Sequence, residues 1–412
     1  MKKILLISLQ LIAASLIYAS PLEDFLANKA VNASSTAVLI QDLSTGKVLV
    51  EHNRDLPLLP ASIMKIVTIA SLLKEAGPEE QFHTLVYADG MIENNSLQGD
   101  LVILGGGDPT LGANCLPESA DIADEIVESL RRNNIRNISG DIRVDTSLYV
   151  GPACPPSWVW EDRKESYGTG SHALNFRRNA SGSRSVANPE RVFADYLRSR
   201  INAAGVSVSG KIAIGSDGVS EPDNAALLVD HVSDRYAEVM RSCMMRSDNL
   251  FAENLLRAFA ISQGKEASTA AGADEMLQYW IRHDVQAKGV NIVDGSGLSR
   301  SNRVTARFMG GILKDMNSDE EYSSFMPLAG QEGTLSDFLK DTELDSYVAM
   351  KTGSMRGIQC YAGYKLDVQF APTHLIVIIM NGIGQRSQAR HAAERLLLDT
   401  FSALYTGHNM TE

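Results

Sequence analysis

The sequence predicts an α+β fold in which an antiparallel sheet with helices is interrupted by an inserted α/β domain. Two apolar segments, 37–41 and 47–51, flank a turn sequence and so predict a β-hairpin near the start of the chain. Between residues 83 and 225, strand and helix patterns alternate, which is typical of a separate α/β unit. The 412 residues are enough for two or three domains with a large core.

The insertion is expected to split the first domain into residues 20–82 and 226–412, with the inserted domain at 83–225. Apolar residues recur at helical spacing from Ser62, and Gly77-Pro78 ends that helix. The same spacing predicts further helices at 122–132, 192–204, 236–245, 250–260, 268–284 and 388–404, and one that begins at Thr305. Apolar runs predict further strands at 101–104, 138–144, 206–214, 347–350, 360–366 and 375–380, and residues 217–225 are predicted to be a linker.

The first nineteen residues predict a secretory signal peptide. Lys2 and Lys3 form a basic start, an apolar run covers residues 4–17, and small residues offer a cleavage point after Ala19. An uncleaved membrane anchor is the alternative, although the run is short for a membrane span. No second apolar run is long enough to cross a bilayer. We therefore expect an exported protein of the periplasm or cell-wall space, with no stable membrane span after signal cleavage.

Charge and metal-ligand spacing exclude two classes of function. The formal net charge of −12 argues against a nucleic-acid partner. The sequence has no Cys-x-x-Cys pair and no His/Cys cluster at zinc-ligand spacing, so it predicts no metal and no cofactor. Export permits disulfides among the four cysteines. Cys115 and Cys154 each follow a strand and turn of the inserted unit, so we expect them to pair, while Cys243 and Cys360 are expected to be buried thiols.

Three short motifs in one order supply the groups for acyl transfer. They are Ser62-Ile63-Met64-Lys65, Ser247-Asp248-Asn249 and Lys351-Thr352-Gly353. A serine at a helix start lies near free N–H groups, and a lysine three residues later shares its face and can reach the hydroxyl. A buried lysine loses its proton more easily and can then act as a base.

The second and third motifs offer the remaining groups. Ser247 can relay a proton to a leaving amine, and Asn249 can hold a substrate amide. Lys351 and the hydroxyls of Thr352 and Ser354 can bind a carboxylate, and Gly353 removes a side chain where substrate would lie. The backbone N–H groups of Ser62 and Ser354 can form an oxyanion hole. Each motif alone also fits a structural role, as a helix start, an N-cap or a strand end, but their joint occurrence favours catalysis.

The three motifs together are the signature of penicillin-binding proteins and class A β-lactamases. Residues 105–111, 294–299 and 330–335 further resemble hallmarks of one subgroup, the penicillin-binding protein 4 type D-alanyl-D-alanine carboxypeptidases and endopeptidases (low-molecular-mass class C). The resemblance covers essentially the whole mature chain. It implies a β-lactamase-like transpeptidase domain and a serine enzyme that acts on peptidoglycan stem peptides through an acyl-enzyme and is inhibited by β-lactam antibiotics.

By that resemblance Ser62 is the nucleophile, Lys65 the general base, and Ser247 with Asn249 the second catalytic element. Lys351, Thr352 and Ser354 would bind the terminal carboxylate of D-alanine. The chain departs from the family in one place, because members often carry a further domain nested within the inserted one. The corresponding segment here, 176–186, has eleven residues and is too short to form a domain.

The inserted unit also offers a candidate specificity site. The segment 158–162, followed by Tyr167, resembles a family segment that reaches over the active site and holds the charged end of the stem peptide. An aromatic wall with a carboxylate suits an ammonium group. We therefore expect Glu161 or Asp162 to pair with the substrate's free amine, with Tyr167 beside it. The alternative is that the tryptophans anchor the segment and the acids are solvated.

Two other functions are alternatives to a carboxypeptidase. A class A β-lactamase needs a deacylating glutamate, but no Glu-x-x-Leu-Asn lies between Asn249 and Lys351, and the insertion after Lys65 is far too large. A catalytically inactive penicillin-binding wall protein is the other alternative. Every catalytic residue type is present, which favours an active enzyme.

Overall fold

A computed structural model describes residues 20–116, 121–215 and 225–408. The predicted signal peptide and nearly all of the predicted linker at 217–225 lie outside these residues. Within the described ranges, no helix combines the length and the apolar character needed to cross a bilayer.

The first sheet has five antiparallel strands and joins the two ends of the chain. Its strands, in the spatial order β12-β13-β14-β1-β2, are β1 (Thr36–Asp42), β2 (Val48–His52), β12 (Val348–Met355), β13 (Ile358–Leu366) and β14 (Pro372–Asn381). Alternate residues of β1 face two different cores: Ala37 and Leu39 lie in one, Val38 and Ile40 in the other. A sheet buried on both faces explains why the sequence of β14 is almost continuously apolar.

Helices cover both faces of this sheet. One face packs against five helices, α2 (Met64–Ala76), α5 (Tyr236–Arg246), α6 (Asn249–Ser262), α7 (Thr269–Arg282) and α8 (Ala306–Asp315). The other face packs against two terminal helices, α1 (Pro21–Ala27) and α10 (Arg386–His408). A short helix, α9 (Glu320–Ser324), completes this part of the chain. The predicted α+β architecture is thus present, with helices α2 and α6 in the larger core.

The inserted unit forms a second, mixed sheet of seven strands. They are β3 (His83–Glu93), β4 (Ser96–Leu104), β5 (Asn137–Ile138), β6 (Ile142–Asp145), β9 (Ser207–Val208), β10 (Ile212–Gly215) and β11 (Ala226–Val232). Parallel pairs such as β4–β6 are bridged by the helices α3 (Ile122–Arg132) and α4 (Pro189–Ala203). The segment that would hold a nested domain forms only a small hairpin, β7 (Ala180–Ser181) with β8 (Arg184–Ser185).

One boundary of the predicted domains needs correction. The sequence placed residue 226 in the first domain, but β11 pairs antiparallel with β3 of the inserted sheet. The alternation of exposed and buried residues along β11 comes from that pairing, which a linker prediction based on polar composition did not detect. We propose that the inserted domain extends to about Val232, and the rest of the division into domains stays a prediction.

The predicted Cys115–Cys154 disulfide is wrong, because both residues are free thiols. Cys115 lies beside the Ser242 hydroxyl and packs against the larger core of the first unit. The Cys154 sulfur instead contacts the carbonyl oxygen of Gly168 at 3.9 Å. The prediction required both cysteines to lie at one edge of the inserted sheet. Instead, Cys115 packs against the larger core and Cys154 contacts Gly168. The remaining two cysteines are buried free thiols, as expected: Cys243 and Cys360.

Helix α6 joins the two units. The Arg257 guanidinium, 1% exposed, donates to the carbonyl oxygens of Val150 and Pro152 in the inserted unit. The Asn254 side-chain oxygen accepts from Tyr149 and Ser171 of the same unit. A buried guanidinium needs such partners because an unpaired buried charge is costly. The inserted unit is therefore fixed to the helix that also carries Asn249.

Candidate active site

Ser62 lies in a tight turn directly before α2. The turn is a single 3₁₀ turn over Ala61–Ile63, so the serine precedes the α-helix that was predicted to start there. Ala61 has φ +48°, a left-handed conformation that costs a non-glycine residue about 1 kcal/mol. A Cβ at Gly297 would lie 1.9 Å from the Ala61 carbonyl oxygen. The strained turn is therefore packed directly against the 294–299 loop.

The Lys65 amine is the centre of the site. Its side chain is fully buried, and Nζ lies 3.2 Å from Ser62 Oγ, 2.6 Å from Asn249 Oδ1 and 2.8 Å from the Ser296 carbonyl oxygen. Burial lowers the pKa of Lys65 below its usual value. A neutral amine has two N–H bonds and one lone pair. Two carbonyl-type acceptors can take both hydrogens, which leaves the lone pair for the serine hydroxyl.

The 294–299 loop is held by two buried acids. Glu253 Oε1 accepts from the N–H groups of Gly295 and Ser296, at 3.1 and 2.9 Å. Asp294 accepts from the N–H groups of Gly297 and Ser299, at 2.9 and 2.6 Å. Burial, together with the charge of Asp294, raises the pKa of Glu253 to about 7. These bonds fix the carbonyl that faces Lys65.

Glu253, Asp294 and Ser296 are parts of the site that no sequence motif predicted. The 294–299 loop was expected only as a segment that resembles a family hallmark. One signal was available, because Glu253 follows Asn249 by four residues and so lies on the same face of a helix that is mostly apolar. A carboxylate on a buried helix face needs a partner.

The Ser247-Asp248-Asn249 motif forms the break between α5 and α6. Ser247 has φ +58° and ends α5, while the Asp248 carboxylate caps α6 by accepting from Phe251 N at 3.2 Å and also pairs with Arg178. The predicted capping role thus belongs to Asp248. Asn249 is the first residue of α6, which points its amide to Lys65. The Ser247 hydroxyl makes no hydrogen bond within the described part of the chain.

Lys351 lies within strand β12 rather than beyond its end. The side chain is fully buried and donates to the Thr352 carbonyl oxygen at 2.9 Å. Burial, followed by the nearby charge of Lys65, lowers the pKa of Lys351 to about 7. The Thr352 hydroxyl donates to the hydroxyl of Thr334 at 2.8 Å, and Ser354 is exposed. Strand β12 is the edge strand of its sheet, and the 327–329 segment bonds its outer edge only at Val348 and Met350. The outer edge at Thr352 and Ser354 therefore has no partner strand among the described residues.

Gly353 is required for a reason that the sequence did not indicate. A Cβ at this position would lie 2.6 Å from the Pro60 carbonyl oxygen and 3.1 Å from the backbone nitrogen of Ser62. The close approach is therefore between β12 and the turn that carries Ser62. Any side chain here would push apart the two segments that hold the candidate oxyanion N–H groups.

The segment 158–167 of the inserted unit reaches the site. Trp158 is 3% exposed, and its indole N–H donates to Asp294 at 2.8 Å. The Tyr167 carbonyl oxygen accepts from Asn249 Nδ2 at 2.8 Å, and the Tyr167 hydroxyl donates to Asp162 at 2.9 Å. Glu161 is exposed. Trp158 thus anchors the segment, while Glu161 and Tyr167 are exposed and Asp162 is half-buried.

Among the described residues, no group of three or more His, Cys, Asp or Glu side chains is arranged to hold a metal ion. The thiol of Cys243, which is buried near Lys65, has its pKa raised to about 12 by burial. It is therefore a neutral packing group at ordinary pH.

Two curated relatives are similar to this chain over most of its length. D-alanyl-D-alanine carboxypeptidase DacB of Haemophilus influenzae is 23% identical, over 84% of this chain and 85% of that protein. The D-alanyl-D-alanine carboxypeptidase of Actinomadura sp. is 24% identical, over 83% of this chain and 77% of that protein.

Solved structures share the fold. The crystal structure of penicillin binding protein 4 (dacB) from Haemophilus influenzae matches with a TM-score of 0.79 at 20% identity, covering 93% of this chain and 98% of that chain. The same protein complexed with a novel β-lactam matches with a TM-score of 0.74 at 21% identity, covering 94% and 100%. At these identities the likeness establishes the fold, and it confirms the predicted α+β fold with an inserted domain.

The D-Ala-D-Ala carboxypeptidase 3 (S13) family matches residues 18–182 and 175–400. This match spans nearly the whole chain and agrees with the resemblance that the three motifs carry. It confirms the enzyme class predicted from them, a serine-type D-Ala-D-Ala carboxypeptidase. The chain belongs to the D-Ala-D-Ala carboxypeptidase 3 (S13) family.

Proposed function

We propose that this enzyme cleaves the D-Ala-D-Ala bond of peptidoglycan stem peptides through an acyl-enzyme on Ser62, and that β-lactam antibiotics acylate the same residue. The observation that carries the proposal is the Lys65 amine, buried and bonded to Ser62, Asn249 and the Ser296 carbonyl. Family membership supports the reaction class. Carboxypeptidase and endopeptidase activity use the same chemistry and differ in the leaving group.

In the acylation step, neutral Lys65 takes the proton of Ser62 as its oxygen attacks the peptide carbonyl. The oxyanion is held by the backbone N–H groups of Ser62 and Ser354. Asn249 holds the substrate amide. The terminal carboxylate binds Lys351, Thr352 and Ser354, at the edge of β12 where the substrate can lie as an added strand.

Collapse of the tetrahedral intermediate breaks the peptide bond. The proton held by Lys65 passes through the Ser247 hydroxyl to the leaving nitrogen, so D-alanine departs with a neutral amine and Lys65 is neutral again. In deacylation, a water gives its proton to Lys65 and attacks the ester. The second collapse returns that proton to Ser62 Oγ and releases the shortened peptide.

Specificity for the stem peptide is assigned to the inserted unit. Glu161 or Asp162 pairs with the free side-chain amine of the substrate, and Tyr167 lies beside it. The contact between Asn249 and the Tyr167 carbonyl, at 2.8 Å, supports this placement because it brings the segment to the substrate amide.

We also propose that the enzyme is exported through cleavage after Ala19 and works in the periplasm or cell-wall space, where it contributes to cell-wall organisation and cell shape. The basic start and apolar run of residues 1–19 support export. Export is tested by fusing residues 1–19 to a reporter and comparing this fusion with its Lys2→Glu, Lys3→Glu version.

The nucleophile is tested by Ser62→Ala. We expect fluorescent-penicillin labelling and D-alanine release to fall by at least about a thousandfold, because the covalent intermediate is lost. The exposed serine variant Ser324→Ala is the matched control, and melting temperature checks the fold. Full labelling of Ser62→Ala would contradict the assignment.

The two alternative functions are tested on the wild-type enzyme, which should hydrolyse nitrocefin slowly. Fast turnover would support a β-lactamase, and penicillin labelling without D-alanine release would support an inactive wall protein.

The loop support is tested by Glu253→Gln against Glu253→Ala. Gln keeps an acceptor oxygen for Gly295 and Ser296, so the acylation rate should stay within about threefold of wild type. Ala leaves two buried N–H groups unpaired and frees the Ser296 carbonyl, so the rate should fall at least about tenfold. Equal rates for both variants would show that the loop does not position Lys65.

The titration of Glu253 predicts a pH dependence of stability. The pKa of Glu253 is raised on folding, from 4.5 to about 7, so the folded protein binds this proton more tightly than the unfolded chain. Its contribution to stability is full below pH 4.5 and is lost as pH rises through about 7. When pH rises from 5 to 8, the free energy of unfolding should therefore fall in wild type by about 2 to 3 kcal/mol more than it falls in Glu253→Gln, which has no titrating group at this position. Parallel pH profiles would contradict this.

Substrate recognition is tested by Glu161→Gln with Asp162→Asn. KM should rise roughly fivefold for peptides with a free side-chain amine, because an ion pair at a partly exposed site is lost. Penicillin acylation should stay nearly unchanged. The control is Glu128→Gln with Asp195→Asn, two exposed acids of the same unit. An equal effect on amine-bearing and amine-blocked peptides would make the segment structural.

A further inference from the structure

A strained turn of the inserted unit lies beside the second motif of the active site. Its three residues, Arg177, Arg178 and Asn179, have φ angles of +52°, +56° and +51°. A residue with a side chain adopts this left-handed conformation only at a cost, and as a rule singly rather than in succession. Backbone strain of this kind persists where the surrounding structure fixes it, and it clusters at functional sites. Such a turn is expected to hold a side chain in one position.

The two outer residues fix this turn to the inserted unit. Asn179 is fully buried, and its side-chain oxygen accepts from the Phe176 N–H at 2.9 Å. The Arg177 guanidinium lies over the rings of Phe176 and Tyr196, at 4.8 and 5.0 Å from the ring centroids. A cation is attracted to the face of an aromatic ring, so Arg177 is held within its own unit. Arg178, between them, instead reaches across to the first unit.

Arg178 pairs with the carboxylate in the middle of the second motif. Its guanidinium contacts the Asp248 carboxylate, and the two side chains are 44% and 3% exposed. Within the described part of the chain, Asp248 forms no other ion pair. A buried carboxylate that loses its cation is strongly unfavourable, so this carboxylate must stay where Arg178 can meet it. The pair therefore joins the two units at the break between α5 and α6.

The position of Asp248 sets the residues on either side of it. Its carboxylate accepts from Phe251 N at 3.2 Å and so caps α6. Ser247, just before it, has φ +58° and carries the hydroxyl that is proposed to relay a proton. Asn249, just after it, bonds the Lys65 amine at 2.6 Å. A shift of the carboxylate would therefore move two groups that act in the proposed mechanism.

We propose that Arg178 is a positioning residue of the active site, and this rests on the function proposed above. The left-handed turn holds its guanidinium against Asp248, and the paired carboxylate holds the break between α5 and α6 in the shape that acylation needs. Arg178 acts through Asp248 and not on the substrate. The groups assigned to the substrate carboxylate belong to β12, so binding before acylation is independent of this pair.

Arg178→Ala tests the proposal in the full mature enzyme with penicillin. Alanine keeps the Cβ, so the cost of the left-handed turn is nearly unchanged while the guanidinium is lost. We expect the acylation rate at saturating penicillin to fall about tenfold, because misplaced catalytic groups slow the chemical step. The dissociation constant before acylation should stay within about twofold. An unchanged acylation rate would overturn the proposal, even if the melting temperature fell.

The matched control is Arg191→Ala. This variant removes another arginine of the inserted unit that pairs with an acid, Asp195, on the protein surface. It should keep the wild-type acylation rate. An equal fall in Arg191→Ala and Arg178→Ala would show a general effect of charge and would overturn the specific role of Arg178.

The ion pair itself is tested by Asp248→Asn, in which the amide oxygen can still accept from Phe251 N. With no carboxylate to hold, removal of Arg178 should have little effect, so the double variant should match Asp248→Asn within about twofold. A tenfold loss from Arg178→Ala in both backgrounds would mean that Arg178 does not act through Asp248, and the proposal would be wrong.

Added guanidinium chloride gives a second test that does not depend on the folding of the Asp248 variants. Because Arg178 is 44% exposed, its removal opens Asp248 to solvent. Guanidinium, well below the concentration that unfolds the protein, should raise the acylation rate of Arg178→Ala at least about threefold by pairing with the carboxylate. Potassium chloride at equal ionic strength should not. Equal effects of the two salts would contradict the pairing.

The wild-type measurement separates this proposal from the proposed function. A wild-type enzyme that penicillin does not acylate would overturn the function itself, and the role of Arg178 with it. A wild-type enzyme that is acylated at the same rate as Arg178→Ala would overturn only the role of Arg178.

Discussion

The burial of the Lys65 amine is the constraint on which the rest of the site depends. A lysine taken out of water costs several kcal/mol unless its donors meet acceptors. Here its hydrogen-bond partners come from three segments: Ser62 from the turn before α2, Asn249 from α6, and Ser296 from the 294–299 loop. Because the chain must satisfy this one amine, it must also hold these segments together, and the same burial lowers the amine's pKa toward the range of a useful base.

Helix α6 carries this constraint through the molecule. Asn249, Glu253 and Arg257 follow one another at four-residue spacing, so they lie along one face. Asn249 bonds the Lys65 amine, Glu253 holds the loop that carries the Ser296 carbonyl, and Arg257 binds carbonyl oxygens of the inserted unit. One helix face thus joins the site, its supporting loop and the unit assigned to specificity. A second link runs through Trp158, whose indole bonds Asp294 of the same loop.

The motifs could be predicted because each is contiguous in the sequence and its residue types alone indicate the reaction that it can support. Helices such as α3 could be predicted because apolar spacing is local. What the sequence could not give depends on contacts between distant segments. The need for Gly353 arises from the Pro60 carbonyl, and the position of β11 from its pairing with β3. The failed Cys115–Cys154 disulfide has the same cause, since strand ends do not reveal which surfaces the following loops meet.

The proposed mechanism requires Lys65 to lose its proton at a lower pH than an ordinary lysine, so that it can serve as the base for Ser62. The most direct measurement is an NMR titration of the enzyme with ¹³C at the lysine ε-carbons, in which the Lys65 signal is the one missing from Lys65→Met. Because burial lowers the pKa of this amine, we expect the midpoint of its signal to lie well below 10.5, the ordinary lysine value. A midpoint at or above 10.5 would contradict it.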